Sequence, residues 1–132
     1  MAAPIVSVWT DPPKMDVGAP QPSFARDGDL LWLAYRTHRG DHFAVLRFEG
    51  VSDFSFGDPS DERLHTHPLY QAGLRFYSFH EVCDEGAVST GLRRWIITFH
   101  DDTLEVTARR AAVVVRAVQA RSAENALAAV RA

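Results

Sequence analysis

The sequence predicts a mainly β protein, an antiparallel meander forming a sandwich or half-open barrel with a short C-terminal helix. Apolar and polar residues alternate with period two in several short segments, which is typical of half-buried strands. Tight-turn dipeptides separate these segments. Strands do not alternate with helices as they would in a doubly wound fold, and an α+β arrangement is the alternative.

The chain length is suited to one domain. Its 132 residues are 46% hydrophobic and 23% charged, ordinary values for a globular protein with one core. Five of the seven prolines fall within 4–22, so we expect residues 1–22 to form an extended arm. We expect an antiparallel β core over 23–119 that contains a long loop, 50–73, and a closing helix over 121–131. A single domain then covers 1–132.

The first strands are predicted from an apolar run and a turn dipeptide. The stretch IVSVW at 5–9 is suited to a short edge strand. Asp27-Gly28 is a favoured two-residue hairpin loop because both residues tolerate positive φ. A loop there places Phe24 opposite Leu31.

A second hairpin is predicted around Arg39-Gly40, where 30–37 pairs with 42–49. With a two-residue loop the apolar residues of both strands share one face, which supports this register. The predicted pairs are Leu31 with Phe48, Leu33 with Leu46, and Tyr35 with Ala44.

The stretch RRWIITFHDDTLEVTARR, at 93–110, gives the clearest hairpin pattern. A turn at Asp101-Asp102 places apolar residues opposite apolar residues along one face of both strands. A two- or a four-residue loop gives the same facing. The predicted pairs are Trp95 with Ala108, Ile97 with Val106, and Phe99 with Leu104.

Three further elements complete the prediction. LRFYSFHEV at 74–82 is interpreted as a strand, and AAVVVRAVQ at 111–119 as another, although its alanines also permit a helix. The tail at 121–131 is interpreted as a helix. Ser122 is suited to its N-cap, and Glu124 to its first turn.

The stretch FGDPSDERLHTHPLY, at 56–70, places two acids just before two histidines. His65 and His67 would point the same way in an extended chain, and Asp61 or Glu62 would add a carboxylate oxygen. Because a metal site needs three or four convergent ligands, these four residues are the candidate metal ligands. The alternative, which we favour, is a polar surface loop anchored to the sheet through neighbouring apolar residues.

The sequence does not contain a recognisable catalytic arrangement, and we expect no catalytic residue and no cofactor. His80-Glu81 and His100-Asp101 are adjacent pairs, whose side chains point to opposite faces of a strand. No serine lies in a nucleophile elbow. Cys83 precedes two acids, Asp84 and Glu85, which would raise the pKa of its thiol.

The predicted 93–110 hairpin places arginines opposite each other. In the predicted register Arg94 faces Arg109, and like charges opposite each other destabilise a ladder. Pairing of 74–82 with 93–100 would bring Glu81 beside Arg93 and Arg94 and neutralise their charge. The alternative is a site for an anion or an acidic partner.

The second face of the predicted 30–49 hairpin is also apolar. It carries Trp32 and Phe43 with Arg47 among them, a composition found at interface hot spots. Either the arm, the 50–73 loop, the terminal helix or a second chain must cover this face. The predicted interaction surface comprises Trp32, Phe43, Arg47, Tyr70, Arg94 and Arg109.

Charge and hydropathy narrow the classes of partner. The net charge of −3 argues against nucleic-acid binding, which needs a basic surface. No apolar run approaches the length that spans a bilayer, and the N-terminal segment lacks the pattern of a signal peptide. The single cysteine excludes an internal disulfide framework and fits a reducing compartment. We therefore expect a cytoplasmic protein that binds neither nucleic acid nor membrane.

Four stretches resemble a group of small uncharacterised bacterial proteins of this length. They are FGDPSDE at 56–62, HPLY at 67–70, YSFHEV at 77–82 and IITFHDDTLE at 96–105. The resemblance covers about the middle half of the chain. It implies a bacterial protein and no particular activity.

The leading functional hypothesis is a non-enzymatic binding or protein-interaction module with an immunity-like or regulatory role. Its partner would be another protein or a second copy of the chain. One alternative is a small metal-dependent enzyme or metal binder that uses His65 and His67. The other alternative is a small-molecule carrier with its ligand inside the β core.

Overall fold

A computed structural model describes residues 4–18, 21–83 and 90–131. Within them the chain forms nine strands, two short 3-10 helices and one α-helix, α1. The strands are β1 (Ile5–Val8), β2 (Ser23–Asp27), β3 (Leu30–Arg36), β4 (His42–Glu49), β5 (Asp53–Gly57), β6 (Phe79–Cys83), β7 (Arg93–Thr98), β8 (Thr103–Ala108) and β9 (Arg110–Gln119). The 3-10 helices are Asp61–Thr66 and Tyr70–Ala72, and α1 is Ala123–Arg131.

The strands form two antiparallel sheets packed face to face, which confirms the predicted mainly β sandwich. One sheet has the order β1-β6-β7-β8-β5 and the other the order β2-β3-β4-β9. Alternate residues of both sheets point inward and fill the space between them. Trp9 follows β1 and packs its indole against Phe48, Phe79 and Trp95.

The β3–β4 hairpin has the predicted register. Leu31 pairs with Phe48, Leu33 with Leu46, and Tyr35 with Ala44, and all six side chains are buried between the sheets. The apolar pattern and the turn dipeptide agree here, so a single register satisfies both.

The β2–β3 hairpin turns one residue later than predicted. Asp27 pairs with Leu30, so the loop is Gly28-Asp29, and Phe24 lies opposite Leu33 rather than Leu31. Gly28 adopts a φ of 62° and takes the first loop position, which glycine occupies without strain. A shift of two in pairing leaves every side chain on its predicted face.

The β7–β8 hairpin is confirmed, but its register also differs by two from the prediction. The loop is residues 99–102, closed by the Phe99 amide, which donates to the Asp102 carbonyl at 2.9 Å. Phe99 therefore leaves the strand, and Trp95 pairs with Val106. The predicted pairing of Arg94 with Arg109 is wrong, because Arg94 lies opposite Thr107.

Two other strand predictions are settled by the structure. Residues 111–119 are strand and not helix, and β9 pairs with β4 despite two bulges in its register. The strand predicted at 74–82 begins only at Phe79, because the chain before it bends through Tyr77 at a φ of 51°. Residues 84–89, which include Asp84 and Glu85, lie outside the described part.

The segment predicted as a long loop, 50–73, contains regular structure. It holds β5 and both 3-10 helices, and the latter cover the outer face of the five-stranded sheet. Short helical turns and a five-residue strand give weak periodic signals, so the sequence pattern did not reveal them. The apolar contacts involve Leu64 and Leu69 of the segment, and Leu74 just after it, with Val82 and Ile96 of the sheet.

The C-terminal helix covers the outer face of the four-stranded sheet. Leu127 and Ala126 are buried against Phe43 and the neighbouring apolar residues. The Asn125 amide donates to the Ser122 hydroxyl at 3.1 Å, which confirms the predicted N-cap. The sequence analysis named several elements that could cover this face. In the structure, α1 covers it.

Candidate functional site

One end of the sandwich carries a cleft between the N-terminal arm and the Tyr77 turn. Its volume is about 350 Å³. A narrower pocket shares its Met15 and Val17 wall and reaches His100 on the β7–β8 loop. We call the combined space the end cleft, which is lined chiefly by Val8, Trp9, Met15, Val17, Tyr77 and His100.

Three polar side chains from distant parts of the chain meet beside the end cleft. The Asp61 Oδ2 atom accepts a hydrogen bond from the Tyr77 hydroxyl at 2.5 Å and another from His100 Nδ1 at 2.7 Å. The rings of Tyr77 and His100 are stacked, with centroids 6.4 Å apart and planes inclined by 26°. The Asp61 amide also donates to the His100 carbonyl at 2.9 Å. These contacts fix the first 3-10 helix and the β7–β8 loop to the Tyr77 turn.

The backbone of Tyr77 is held in a conformation that bulky residues rarely adopt. Its φ of 51° lies in the left-handed region, where a non-glycine residue costs about 1–3 kcal/mol. Such a conformation persists when the surroundings fix it, and strained residues cluster at ligand sites. The hydrogen bond to Asp61 and the stack on His100 fix the ring at the mouth of the cleft.

These hydrogen bonds also fix the protonation of the cluster. The Tyr77 hydroxyl is the largest cause that lowers the pKa of Asp61, and His100 adds to it against a smaller effect of burial. The hydrogen bond to Asp61 is in turn the main cause that raises the pKa of Tyr77. At neutral pH the cluster therefore holds a carboxylate and a neutral phenol that donates to it.

The cluster lacks the partner that nucleophilic catalysis needs. The His100 ring is 57% exposed, and its Nε2 atom lies 3.8 Å from Asp101. In the described part of the chain, no serine, threonine or cysteine hydrogen-bonds to that ring. The contacts of Asp61 hold the Tyr77 and His100 side chains at the cleft.

Exposed apolar side chains concentrate at this end of the molecule. Val8, Val17 and Phe76 are 40%, 52% and 47% exposed, and they are three of the five large apolar residues exposed in the described chain. Val8 and Val17 line the end cleft, and the Phe76 ring lies 6.1 Å from that of Tyr77. We call these three residues the apolar patch. Grouped exposed apolar residues mark interaction surfaces more than scattered ones do.

Aspartates line the part of the end cleft beyond Val17. Asp16, Asp101 and Asp102 line the end cleft, and Asp61 lies at its edge. Burial, followed by the charge of neighbouring aspartates, raises the pKa of Asp102. The cations that line the end cleft are Lys14 and Arg36, so carboxylates outnumber them.

The four candidate metal ligands do not converge. Residues 61–66 form a 3-10 helix rather than an extended chain, so His65 is exposed while His67 is buried. Asp61 turns to Tyr77, and Glu62 is exposed. Within the described residues, no three His, Cys, Asp or Glu side chains are grouped as a metal ion requires.

His67 takes part in a different contact, which we call the clasp. The Leu69 amide donates to His67 Nδ1 at 3.0 Å, so the ring proton lies on Nε2 and is donated to Glu105 at 3.1 Å. Arg94 donates to the other oxygen of Glu105. Burial would raise the pKa of Glu105, but the hydrogen bonds from Arg94 and His67 outweigh it and lower that pKa. We call residues 61–72, which hold both 3-10 helices, the 3-10 segment. The clasp connects this segment to the sheet.

The aromatic part of the predicted interaction surface lies beneath α1. Phe43 is 6% exposed and packs in the cluster that α1 closes, with Trp32 half-buried beside it. The Arg47 guanidinium lies 5.3 Å from the Trp32 ring centroid and pairs with Glu49 at 3.3 Å. Phe43 is therefore not accessible to a partner.

The remaining predicted interaction residues are dispersed. Tyr70 is half-buried on the second 3-10 helix, and Arg94 belongs to the clasp. Arg109 packs over Gly50, where an added Cβ would lie 2.8 Å from its Cγ. The predicted neutralisation by Glu81 is found at Arg93, which pairs with it at 2.9 Å.

His80 is a fully buried histidine with both ring nitrogens occupied. Its Nδ1 lies 2.9 Å from the Ile96 carbonyl, and its Nε2 accepts from the Arg75 amide at 3.0 Å. Burial is the main cause that lowers the pKa of His80. The ring is therefore neutral and fixes the 74–78 turn to the sheet.

Sequence reasoning missed the group formed by Asp61, Tyr77 and His100. Its members lie up to 39 positions apart, so no local spacing reveals them. The tyrosine was interpreted as a strand residue, because a positive φ at a tyrosine leaves no mark in the sequence. The available signal was the His100-Asp101 pair beside the predicted turn, although two adjacent side chains of a strand point to opposite faces.

Comparisons with known proteins do not assign a family to this chain. No family model, no curated protein and no solved structure matched it. In the part of the chain that the structure describes, no helix has the length and apolar content to cross a membrane.

Proposed function

We propose that the protein is a non-enzymatic binding module that holds a segment of a partner protein at the end cleft. The observation that carries this proposal is the apolar patch, in which Val8 and Val17 line the cleft and the Phe76 ring neighbours that of Tyr77. An apolar side chain of the partner would leave water there, and an adjacent lysine or arginine would pair with the aspartates that line the cleft.

The cleft is built on parts of the fold that are already ordered. Trp9 packs into the core, and Tyr77 is fixed by Asp61 and His100. The Tyr35 hydroxyl donates to the Pro13 carbonyl at 2.6 Å, which holds the arm against the sandwich. A preformed site loses little conformational entropy on binding, which favours recognition.

We propose that the protein has a regulatory or immunity-like role in a bacterial cytoplasm. The module would occupy a basic and apolar segment of its partner. The exposed thiol of Cys83, the single cysteine, is suited to a reducing compartment. A second copy of this chain is the competing partner, which light scattering on the purified protein separates from a foreign one.

Peptide selection tests the proposal. A random twelve-residue display library is selected against the immobilised full chain, and the affinity of enriched peptides is measured by fluorescence anisotropy. We expect peptides that combine a large apolar residue with lysine or arginine. Val17→Asp should weaken their binding at least tenfold, whereas Phe54→Asp, at an exposed site on β5, should leave it unchanged. Equal effects of both variants would overturn the proposal.

A small-molecule carrier is the second candidate, because the cleft volume of about 350 Å³ falls within the range of ligand pockets. The ligand would then lie at the rim, because packed side chains fill the space between the sheets. Native mass spectrometry of freshly purified protein separates the two candidates. A co-purified small molecule that Val17→Asp removes would favour the carrier.

A further inference from the structure

Strand β1 is an edge strand with one unpaired side. It pairs with β6 in a regular register, from Ile5 opposite Cys83 to Val8 opposite His80. The Trp9 amide extends this ladder by donating to the Phe79 carbonyl at 2.8 Å. On its other side, β1 has no neighbouring strand among the described residues.

The backbone groups that point away from β6 belong to Val6 and Val8. In an antiparallel pair, hydrogen-bonded and non-bonded positions alternate. Because Trp9 is bonded to β6, Ser7 and Ile5 are bonded too, and the N–H and C=O groups of the two valines point outward. In the described chain, no hydrogen bond reaches these outward groups. Gly73 lies beside the Val6 carbonyl oxygen, so the groups of Val8 form the more open part of this edge.

The other three edges differ from β1 in their surroundings. Strand β9 has two bulges in its register with β4, and bulges twist an edge away from a straight neighbour. Helix α1 packs beside β2. On β5 the Arg26 guanidinium lies 5.5 Å from the Phe54 ring centroid. Strand β1 has no bulge, no lysine and no proline between residues 5 and 9.

We propose that the partner segment binds as an extended strand that adds to the free edge of β1, next to the end cleft. This proposal rests on the proposed function and specifies its mode of binding. The end cleft begins at Val8 and Trp9, where β1 ends, so a strand on this edge would direct alternate side chains into it. Asp16, Asp101 and Asp102 line the narrower pocket beyond Met15 and Val17, and they favour a segment in which basic and apolar residues alternate.

The test uses a nine-residue peptide of alternating lysine and valine with the ¹⁵N-labelled full chain. Hydrogen exchange of the Val6 and Val8 amides is measured by NMR with and without the peptide. We expect exchange at both amides to slow at least tenfold. The Ser7 amide, already bonded within the β1–β6 ladder, is the internal control and should change less than twofold.

Two variants isolate the backbone contribution. Val8→Pro removes an outward N–H without removing a β1–β6 hydrogen bond, so it should weaken peptide binding at least fivefold more than Val8→Ala, which removes the same apolar side chain and keeps the N–H, at an unchanged melting temperature. A peptide N-methylated at every valine cannot donate backbone hydrogen bonds along the edge that carries the valine N–H groups. It should bind at least tenfold more weakly than the unmodified peptide. Phe54→Pro on β5 is the matched edge control and should leave binding unchanged.

Other outcomes would overturn the proposal in distinguishable ways. Chemical-shift changes at Val17 and Tyr77 with unprotected Val6 and Val8 amides would reject strand addition and leave the proposed function standing. No binding at 1 mM peptide would reject both. A concentration-dependent dimer that Val8→Pro abolishes would show that a second copy, and not a foreign segment, occupies the edge.

Discussion

At the scale of single residues, the Asp61 carboxylate organises the candidate site. One of its oxygens receives both the Tyr77 hydroxyl and His100 Nδ1. Two donors on one oxygen favour the charged form of the acid, and the acid in turn fixes the two rings beside the cleft. The strained backbone of Tyr77 is consistent with this role, because the contacts of its side chain offset the cost of its φ.

Tyr77→Phe tests this arrangement. The variant removes the largest cause that lowers the pKa of Asp61, so that pKa should rise towards its ordinary value of 3.8. The measurement is an NMR titration of the Asp61 carboxyl carbon. Tyr70→Phe, which alters a hydroxyl outside the cluster, is the control and should leave the titration unchanged. An unaltered Asp61 titration in Tyr77→Phe would show that the hydrogen bond is absent in solution.

His80 should make stability depend on pH. Its folded-state pKa is lowered, mainly by burial, below the ordinary 6.5. Below pH 6.5 the unfolded chain therefore binds a proton at residue 80 that the folded chain does not, and the free energy of unfolding falls. We expect urea denaturation to show lower stability at pH 5.5 than at pH 7.5.

The substitution His80→Asn serves as the control for this prediction. It should lower stability at both pH values and flatten the dependence between them. The carboxyls with lowered pKa, Asp61 and Glu105, titrate below 3.8 and 4.5 and so act at lower pH. Equal stability of the unmodified protein at pH 5.5 and 7.5 would contradict the neutral buried state of His80.

At the scale of elements, the 3-10 segment depends on the clasp because it has little regular structure of its own. Glu105 on β8 holds His67 from the segment and Arg94 from β7. Glu105→Ala leaves both donors unpaired beside the sheet, so we expect a loss of about 2 kcal/mol in the free energy of unfolding. Glu62→Ala, an exposed acid on the same segment, should change it by less than about 0.5 kcal/mol. Similar losses in both variants would contradict the clasp.

The C-terminal helix acts as the cover of the four-stranded sheet. Leu127 is 5% exposed and packs in the cluster with Phe43 and Val45. Leu127→Ala should cost about 2–4 kcal/mol and increase the fluorescence of a dye that binds apolar surfaces. Ala128→Ser, on the exposed side of α1, should cost about 0.5 kcal/mol or less. An unaltered stability in Leu127→Ala would mean that the helix does not seal this face.

The elements also show how far the sequence could predict the fold. The alternation of apolar and polar residues predicted which face of the sheet each side chain occupies in the β2–β3 and β7–β8 hairpins. A pairing shift of two residues does not change those faces. The alternation could not give the register of β7–β8, since the loops compatible with Asp101-Asp102 and the apolar pattern differ in length. The 3-10 segment and Tyr77 depend on tertiary contacts, namely the clasp and the Asp61 bond, which local patterns do not encode.

At the scale of the whole molecule, the outer faces of both sheets are covered by this chain itself. The 3-10 segment lies on one sheet and α1 on the other. The aromatic surface that the sequence suggested for a partner is thereby used internally, with Phe43 buried. Three of the five large apolar residues exposed in the described chain lie instead at one end of the sandwich, where aspartates line part of the cleft. We propose this end of the sandwich as the recognition surface.

Chemical-shift mapping by NMR tests whether a partner segment binds at this end of the sandwich. A peptide enriched in the library selection is titrated into the ¹⁵N-labelled full chain. We expect the largest changes in amide chemical shift at Val8, Val17, Phe76 and Tyr77, with smaller changes along β1. Shifts concentrated on α1, β9 or the 3-10 segment, with these four residues unmoved, would contradict it.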